Sequence, residues 1–379
     1  MHAPASLEDA SAALADFAAR RRSVGITGGD LPGGPAAVPV DEVLSTSALD
    51  GIVEYVPADQ IVTVQAGMTL ARLQDALGKE QQRLALDPPG AARMTVGGAV
   101  ATGAYGALRT RYGTAKDAIV GMTIVRADGT LARGGGKVVK NVAGFDVPKL
   151  MIGTYGTLAM IGTVTFRLHP LPAAVGEVRF PACSASSLRE LAAAMRAAQL
   201  EPSAVYAVAE EEGETYACIV RFEGFPEGVA AQRAALIDLA RRDYCDGAMD
   251  EAHEAARTQG ELQVKITAPV SQLAELHARA IVPLRRAILD ARVALYPTVG
   301  VAFIGGTCAA SEPVLEMLAA TRAWAESTGG TLVAYEVPPS LASFDRWGTP
   351  PPSFPLMRAL KDRFDPDGRL NPGGFVGGI

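Results

Sequence analysis

Cysteine, histidine and aromatic residues are scarce in this sequence of 379 residues. It has four cysteines, four histidines and two tryptophans, and aromatic residues make up 6% of the chain. The cysteines stand far apart with no C-x-x-C spacing, at Cys183, Cys218, Cys245 and Cys308. Because an iron–sulfur site groups most of its cysteines locally, this spacing argues against a cluster held by this chain. We expect free, buried thiols in a reducing compartment.

The charge balance and the hydropathy pattern exclude further classes of protein. The formal net charge is −6, and no block of like charges indicates a surface for nucleic acid. No run of about 18 uninterrupted apolar residues is present, so no transmembrane helix is expected. The first 22 residues have the pattern of an amphipathic helix with acids, not the order of a secretory signal. We therefore expect a cytoplasmic protein, with peripheral membrane attachment through a complex left open.

The length and a change of pattern predict two domains and a tail. A chain of this length exceeds one ordinary core, and the proline-marked residues 169–174 form a natural boundary. We predict a first domain over 1–172, a second over 173–337, and a tail over 338–379 that packs back on the first. The second domain reads as a sheet with helices packed against one face. Its strands are expected near 176–181, 204–209, 215–222, 262–268, 293–304 and 331–336, and its helices near 185–199, 228–242, 270–289 and 311–326.

Two local patterns in the first domain are specific enough to test. Thr69 has the side chain of an N-cap, and Leu70, Leu73 and Leu77 after it share one helical face. The dipeptide Asp128-Gly129 joins two β-rich runs, which predicts a hairpin with a type I′ turn. Short strands, glycine turns and few helices together indicate an α+β fold.

Glycine, by contrast, is abundant, and residues 95–106 (TVGGAVATGAYG) hold four of the 40. A Rossmann fingerprint is disfavoured, because the spacing is G-G-x-x-x-x-G-x-x-G and a proline turn precedes it. A glycine-rich turn that lets strands pack tightly is a second interpretation. A third is a phosphate cradle, in which glycine N–H groups converge on an anion. Two more clusters, 25–34 and 153–162, favour the third, since separated glycine segments suit a long ligand such as a dinucleotide.

These segments resemble the FAD-binding domain of the vanillyl-alcohol-oxidase and para-cresol-methylhydroxylase type. The likeness is carried by VTVQAGMTLARLQDAL, by residues 86–130 from LDPPGAARMTVGG to ADGT, and by GTYGTLAMIGTVTFRLHP. Residues 134–156 (GGGKVVKNVAGFDVPKLMIGTYG) and 356–379 (LMRALKDRFDPDGRLNPGGFVGGI) are most similar to the FAD-binding subunits of bacterial glycolate oxidases. The resemblance implies a two-part α+β FAD-binding domain with an α+β cap domain whose sheet is mainly antiparallel.

The resemblance also implies which positions contact FAD, through the pyrophosphate, the flavin and the adenine or ribose end. Those positions are Thr27, Gly28, Gly29, Pro88, Thr95, Gly97, Gly98, Ala101, Thr102, Gly103, Gly106, Gly113 and Ile161. The first phosphate loop departs from the family's G-G-G-T, because Asp30 stands where the threonine is expected. No histidine lies near either phosphate loop in the sequence, so the FAD is expected to be held non-covalently.

In function, the resemblance implies an FAD-binding subunit of a glycolate oxidase (glycolate dehydrogenase) complex. Such a subunit would oxidise glycolate or a related 2-hydroxy acid to the 2-oxo acid and pass electrons to a partner. The implied partners are a sister flavoprotein subunit and an iron–sulfur subunit. Two alternatives stay open: a free-standing FAD-dependent 2-hydroxy-acid dehydrogenase, and a structural subunit that has lost FAD. The aspartate in the first phosphate loop is the best support for the last.

No catalytic residue and no metal site is assigned from the sequence. Related flavoproteins use a histidine-rich metal motif in the cap domain, and this chain has no such cluster. His253 and His277 stand alone on expected helices, where a histidine is more often a surface residue than a ligand. Arg109 and Arg111 could bind a substrate carboxylate, pair with a phosphate, or be solvated.

Overall fold

A computed structural model of the chain describes residues 1–29, 39–136, 146–210, 214–308 and 311–379. The chain divides into two compact units. Unit 1 consists of Met1–Gly106, Gly113–Leu171 and Thr349–Ile379, and unit 2 of Ala107–Tyr112 and Pro172–Gly348. The division at residues 172 and 337 into domains that fold independently stays a prediction.

Up to residue 171 the chain forms short helices and strands. The strands are β1 (Val24–Thr27), β2 (Glu42–Ser45), β3 (Ile52–Val56), β4 (Ile61–Gln65), β5 (Gln82–Arg83), β6 (Ile119–Arg126), β7 (Leu131–Gly135), β8 (Ala159–Arg167) and β9 (His169–Pro170). The helices are α1 (Leu7–Ala19), α2 (Leu70–Gly78), α3 (Val96–Thr102), α4 (Arg109–Tyr112), α5 (Ala115–Ala118) and α6 (Val147–Met151). All of them except α4 belong to unit 1.

Unit 1 is built on a five-stranded antiparallel sheet with the order β3-β4-β8-β6-β7. Strand β8 lies at its centre, and all but the last of its nine residues are buried. A separate parallel pair, β1 and β2, runs from Val24↔Glu42 to Thr27↔Ser45. The two apolar cores of unit 1 pack α2 and α3 against the large sheet, and α1 against β1 and β6. Strand β1 is thus anchored in the core through Val24, and α3 through Val96, Ala99 and Val100.

The two local predictions for this unit have different outcomes. Thr69 caps α2, its hydroxyl accepting from the Arg72 amide at 3.3 Å, and the three predicted leucines are buried, so this prediction is confirmed. The hairpin of β6 and β7 is also confirmed. Its turn is not type I′, because that turn needs positive φ at both central residues. Here only Gly129 has positive φ, at 84°, and its amide donates to the Arg126 carbonyl at 2.9 Å.

Unit 2 contains one seven-stranded antiparallel sheet and most of the longer helices. The strands are β10 (Ala174–Cys183), β11 (Ala204–Ala209), β12 (Tyr216–Gly224), β13 (Leu262–Thr267), β14 (Ile288–Tyr296), β15 (Val301–Cys308) and β16 (Thr331–Glu336). The helices are α7 (Ala185–Ala197), α8 (Pro226–Ala240), α9 (Asp250–Thr258), α10 (Leu273–Leu276), α11 (Val282–Ala287) and α12 (Ser311–Ser327). The sheet order is β10-β12-β11-β14-β15-β13-β16. The predicted α+β class with a mainly antiparallel sheet is confirmed.

Three features of unit 2 differ from the sequence-based expectation. The strand expected over 293–304 is two strands, β14 and β15, joined by a turn in which the Gly300 amide donates to the Tyr296 carbonyl at 2.9 Å. The helix expected over 270–289 is interrupted by a π-helical turn at His277–Ile281, next to Pro283, whose ring nitrogen cannot donate. Helix α9 was not expected. It contacts strands β11, β14 and β15 on the face that does not carry the main core.

The C-terminal tail returns to unit 1 and completes it. It contributes helix α13 (Phe354–Phe364) and an extended segment whose Leu370 forms a parallel bridge with Val24 of β1. The Val24 amide donates to the Arg369 carbonyl at 2.8 Å, and the Asn371 amide donates to the Val24 carbonyl at 2.9 Å. The tail thus adds a third strand-like element beside β1.

Candidate functional site

The end of β1 and the start of α3 meet at Thr95 in unit 1. Thr95 is the N-cap of α3, and its hydroxyl accepts from the Gly98 amide at 3.0 Å. A Cβ atom added to Gly28 would lie 2.5 Å from the Thr95 hydroxyl oxygen, and one added to Gly29 would lie 3.8 Å from the Thr95 methyl carbon. The first two glycine-rich segments, which are about 70 residues apart in sequence, are therefore neighbours in space.

The third glycine-rich segment contacts the other end of α3. The Gly153 amide donates to the Val100 carbonyl at 3.0 Å, and the Tyr155 amide donates to the Ala101 carbonyl at 2.8 Å. Gly103 ends the helix in the left-handed region with φ 61°, where its side-chain position faces the Gly153 backbone. All three segments thus surround one short helix, as a binding site for an elongated ligand requires.

Some of the predicted glycines are explained by packing within the protein. A Cβ at Gly97 would approach Ala66 Cβ at 2.9 Å and the Ala66 carbonyl oxygen at 3.0 Å. A Cβ at Gly106 would overlap the Asp87 carbonyl oxygen. The interpretation of tight packing therefore applies to these two positions, whatever else they contact.

Gly29, Gly98 and Gly153 have no such explanation. Among the described residues, a Cβ at Gly29 would meet only the Thr95 methyl within 4 Å, and one at Gly153 would meet nothing within that radius. At Gly98 the sole tight neighbour is the Thr95 hydroxyl, at 3.1 Å. Gly153 needs its positive φ of 74°, but Gly29 and Gly98 do not have positive φ. Of the three, Gly29 alone combines open space among the described residues with a backbone conformation that does not demand glycine, which is what a site for close ligand approach predicts.

We call the region where Gly28, Gly29 and Gly98 meet around Thr95 the cradle. Among the described residues, its unpaired backbone amides directly follow β1, whereas the first amides of α3 are already hydrogen-bonded. The Val96 and Gly97 amides donate to the carbonyls of Met68 (2.8 Å) and Ala66 (2.7 Å), and the Gly98 amide is bound by its own N-cap. Within the described ranges, by contrast, the Gly28 and Gly29 amides have no acceptor. An anion would therefore bind the amides at the end of β1 and approach Gly98 at its Cα.

Other predicted positions lie in the same unit with more local roles. Pro88 is buried in a turn, where its carbonyl accepts from the Ala91 amide at 3.1 Å. The Thr102 hydroxyl donates to the Gly98 carbonyl at 2.7 Å. Gly113 has φ 76°, and a Cβ there would overlap the Asp117 carboxylate. Cofactor contacts at these positions stay predictions.

Ile161 lies at an interruption of the central sheet. It pairs with Ile124 of β6, whereas the ladder between β4 and β8 ends at Gln65↔Thr163. One edge of the β8 backbone at Ile161 is thus free of a neighbouring strand in the described part of the sheet. The predicted backbone contact to a cofactor is compatible with this geometry and stays a prediction. Asp30, like residues 137–145 of the second similar run, lies outside the described residues.

Two tail residues were missed by the sequence-based site prediction. The Asn371 side chain accepts from the Ile26 amide of β1 at 2.7 Å and donates to the Tyr155 carbonyl at 2.7 Å. Tyr155 has an unusual φ of 53°, and its ring stacks on Phe375 at 5.4 Å between centroids. Residues 356–379 contribute to the resemblance seen in the sequence, but only the fold shows that Asn371 joins the first and third glycine segments.

A buried ion pair holds the tail in this position. Lys361 Nζ donates to the Asp365 carboxylate (2.7 Å) and to the carbonyls of Thr157 (2.8 Å) and Leu370 (2.9 Å), which uses all three of its protons. The same carboxylate oxygen accepts from the Leu370 amide at 2.7 Å. Burial lowers the pKa of Lys361, and the bonds to Asp365 oppose that shift. The network fixes the residue immediately before Asn371.

In unit 2, the expectation that His253 lies at the surface is wrong. Its side chain is 5% exposed, stacks on Tyr206 at 4.2 Å and hydrogen-bonds the Tyr296 hydroxyl at 2.9 Å. Burial, followed by the nearby Arg257 and Arg221, lowers the pKa of His253 to about 2. The residue fastens α9 to the sheet as a neutral imidazole.

The structure also shows the contacts of Arg111, in the same unit, and whether any described residues could bind a metal ion. Arg111 donates to the Glu223 carbonyl at 3.1 Å and lies 4.0 Å from the Glu201 carboxylate. In the described ranges, no group of three or more His, Cys, Asp or Glu side chains could hold a metal ion. Neither finding assigns a catalytic residue. His2, in unit 1, lies beside β2, where its ring bonds Glu42 at 3.0 Å.

Comparison with known proteins identifies the unit that carries the cradle. Residues 1–135 match the family model described as FAD binding domain. Over these residues the chain is similar to the proteins of that family. Its cofactor is FAD, and the cradle fits a pyrophosphate, since free amides and open glycines meet in it. None of the described helices has the length and apolar composition to cross a bilayer.

Three curated relatives are about one-third identical in sequence to this chain within the aligned regions. Glycolate oxidase subunit GlcE of Escherichia coli K12 is 32% identical over 49% of this chain and 51% of its own length. D-lactate dehydrogenase of Archaeoglobus fulgidus is 37% identical over 44% and 38%. D-2-hydroxyglutarate dehydrogenase of Xanthomonas citri pv. viticola is 31% identical over 51% and 42%. The matches span about half or less of each relative.

Two solved structures have the same fold over nearly the whole chain. p-Cresol methylhydroxylase with substrate bound has a TM-score of 0.74 and 15% identity, covering 98% of this chain and 87% of its own. An alkyldihydroxyacetonephosphate synthase has a TM-score of 0.71 and 15% identity, covering 97% and 76%. At this identity the likeness shows the fold alone, and it confirms the predicted α+β fold class.

Proposed function

We propose that this chain is the FAD-binding subunit of a complex that oxidises glycolate or a related 2-hydroxy acid to the 2-oxo acid. The observation that carries the proposal is the meeting of the three glycine-rich segments around α3 in a domain of the FAD-binding family. The curated relatives support the substrate class, because their names specify glycolate, D-lactate and D-2-hydroxyglutarate.

The chain's own residues are proposed to bind and orient the cofactor. The Gly28 and Gly29 amides would bind the pyrophosphate, and Gly98 and Gly153 would leave room for close approach of the ligand. The chemistry that bound FAD supplies is two-electron oxidation of an alcohol carbon. The remaining positions predicted from the sequence, from Pro88 to Ile161, are proposed to complete the site.

Electron transfer to partner subunits is the part of the proposal that rests most on the relatives. GlcE is named as a subunit of glycolate oxidase. By this likeness, a sister flavoprotein subunit and an iron–sulfur subunit would accompany the chain in a cytoplasmic complex. The scattered cysteines agree with electrons leaving to a cluster on another subunit. Two of them, Cys183 and Cys218, are buried, and burial raises the pKa of both thiols.

The test separates cofactor binding from substrate oxidation. The purified chain is reconstituted with FAD, freed of excess cofactor, and titrated anaerobically with glycolate, D-lactate and D-2-hydroxyglutarate while the flavin absorbance is followed. Bleaching by a 2-hydroxy acid would support an oxidising subunit. Stoichiometric FAD without bleaching, in the chain alone and with its co-expressed partners, would contradict 2-hydroxy-acid oxidation while leaving the cofactor assignment intact.

A further inference from the structure

Asn371 is a buried polar residue placed where two glycine-rich segments have to be held together. Its side chain is 4% exposed, and both of its polar atoms are used. The oxygen accepts from the Ile26 amide, two residues before Gly28, and the nitrogen donates to the Tyr155 carbonyl, at 2.7 Å each. A single amide group thus sets the spacing between β1 and the Tyr155 turn, which are about 130 residues apart in sequence.

The turn that Asn371 holds has a conformation that its own sequence disfavours. Tyr155 has φ 53°, a region that bulky side chains rarely adopt without support. The support comes from three sides: the Ala101 carbonyl accepts the Tyr155 amide, Phe375 stacks on its ring, and Asn371 binds its carbonyl. The next residue, Gly156, has φ 71°, and a Cβ there would lie 2.6 Å from the Asn371 nitrogen, so both its conformation and this contact favour glycine.

We propose that Asn371 is a positioning residue for the cofactor site, which holds the end of β1 and the Tyr155 turn at the spacing that FAD binding requires. The proposal rests on the proposed function, because it assumes that the cradle binds FAD. It assigns the C-terminal segment a role in cofactor affinity, although its side chain acts through Ile26 and Tyr155 and not by touching the ligand.

The experiment compares two substitutions of Asn371 with one in the same segment. Asn371→Asp keeps the size and the acceptor for Ile26, but it presents an oxygen to the Tyr155 carbonyl in place of a donor. Asn371→Gly removes both bonds and still accepts the positive φ of 41° at this position. Arg369→Met is the control: Arg369 is 6% exposed, and its side chain donates to the Ala127 carbonyl at 2.7 Å and not to Ile26 or Tyr155.

Three quantities are measured for each full-length variant: the thermal midpoint, the FAD dissociation constant at a temperature where all are folded, and amide hydrogen exchange of the apo-protein. We expect both Asn371 variants to raise the FAD dissociation constant at least tenfold and to speed exchange in peptides covering 24–29 and 152–157. Arg369→Met should lower the thermal midpoint and leave the dissociation constant within about twofold of the wild type.

Each outcome bears on the proposal. Unchanged FAD affinity in Asn371→Asp and Asn371→Gly would overturn it, as would an equal loss of affinity in Arg369→Met, because the tail would then act through overall stability. If an Asn371 variant does not fold in the presence of FAD, amide hydrogen exchange of the apo-protein at residues 24–29 and 152–157 is the deciding measurement. The absence of a local increase in exchange there would overturn the proposal. A wild-type chain that takes up no FAD would refute the cofactor site itself, and with it this role for Asn371.

Discussion

Gly29→Ala is the substitution that most cleanly separates cofactor binding from folding. In the described part of the chain, the added Cβ would meet one atom within 4 Å, the Thr95 methyl carbon at 3.8 Å, which is an ordinary van der Waals contact. Gly29 does not have positive φ, so alanine can adopt its backbone conformation. We therefore expect the apo-protein to be unchanged in stability or stabilised by up to about 1 kcal/mol.

The effect on FAD follows from the amides that the methyl group would screen. The Gly28 and Gly29 amides have no acceptor in the described part of the chain, and a hydrogen bond to a charged acceptor contributes about 1.5–3 kcal/mol. Loss of one such bond raises the dissociation constant about 10- to 150-fold. The assay is flavin fluorescence during titration of the apo-protein with FAD, beside a thermal melt of the same preparation.

Gly78→Ala is the matched control for this experiment. Gly78 ends α2 in the same unit, and a Cβ there would meet nothing within 4 Å. We expect FAD affinity to be unchanged in this variant. Equal dissociation constants for wild type, Gly29→Ala and Gly78→Ala would refute the assignment of the pyrophosphate to the end of β1.

Two further substitutions test the site and the second unit. Gly98→Val should abolish FAD retention in a folded chain, and full FAD content in this variant would contradict the assignment of the site. The Thr95 hydroxyl, 3.1 Å from the added Cβ, would have to move, so the variant should also lose about 1 kcal/mol of stability with the N-cap of α3. Gly97→Ala should destabilise the fold by about 1–3 kcal/mol through overpacking against Ala66. Folding lowers the pKa of His253 to about 2, from an unfolded value of about 6.5. The stability that the neutral imidazole contributes is therefore fully present above pH 6.5 and is lost as the pH falls. In denaturant titrations, the free energy of unfolding should drop by about 2 kcal/mol from pH 6.5 to pH 5. His253→Gln should flatten this dependence, and an unchanged slope would show that other groups cause it.

Local chemistry explains which parts of the fold could be predicted. Thr69 and its leucine face follow from neighbouring residues, and alternation of apolar residues identified most strands of unit 2. Helix α9 was missed because its apolar face is narrow and its contacts are polar, with His253 and Arg257 bonding the Tyr296 hydroxyl. Those partners lie on a strand about 40 residues away, which no local pattern encodes.

The candidate site shows the same limit. The glycine clusters could be recognised in the sequence, but sequence could not separate Gly97, which packing with Ala66 explains, from Gly98, which it does not. Asn371 lies 345 residues from Ile26, the amide it accepts from. Its role follows from the return of the tail to β1, which is a property of the tertiary fold.

The central claim is that the glycine-rich segments of unit 1 bind FAD. It is tested most directly by the absorption spectrum of the purified chain before and after incubation with FAD, with chromatography of the cofactor released by denaturation. The account predicts flavin absorption bands and close to one FAD per chain, released without covalent attachment. A colourless protein that takes up no added FAD would contradict it and would favour a structural subunit that has lost the cofactor.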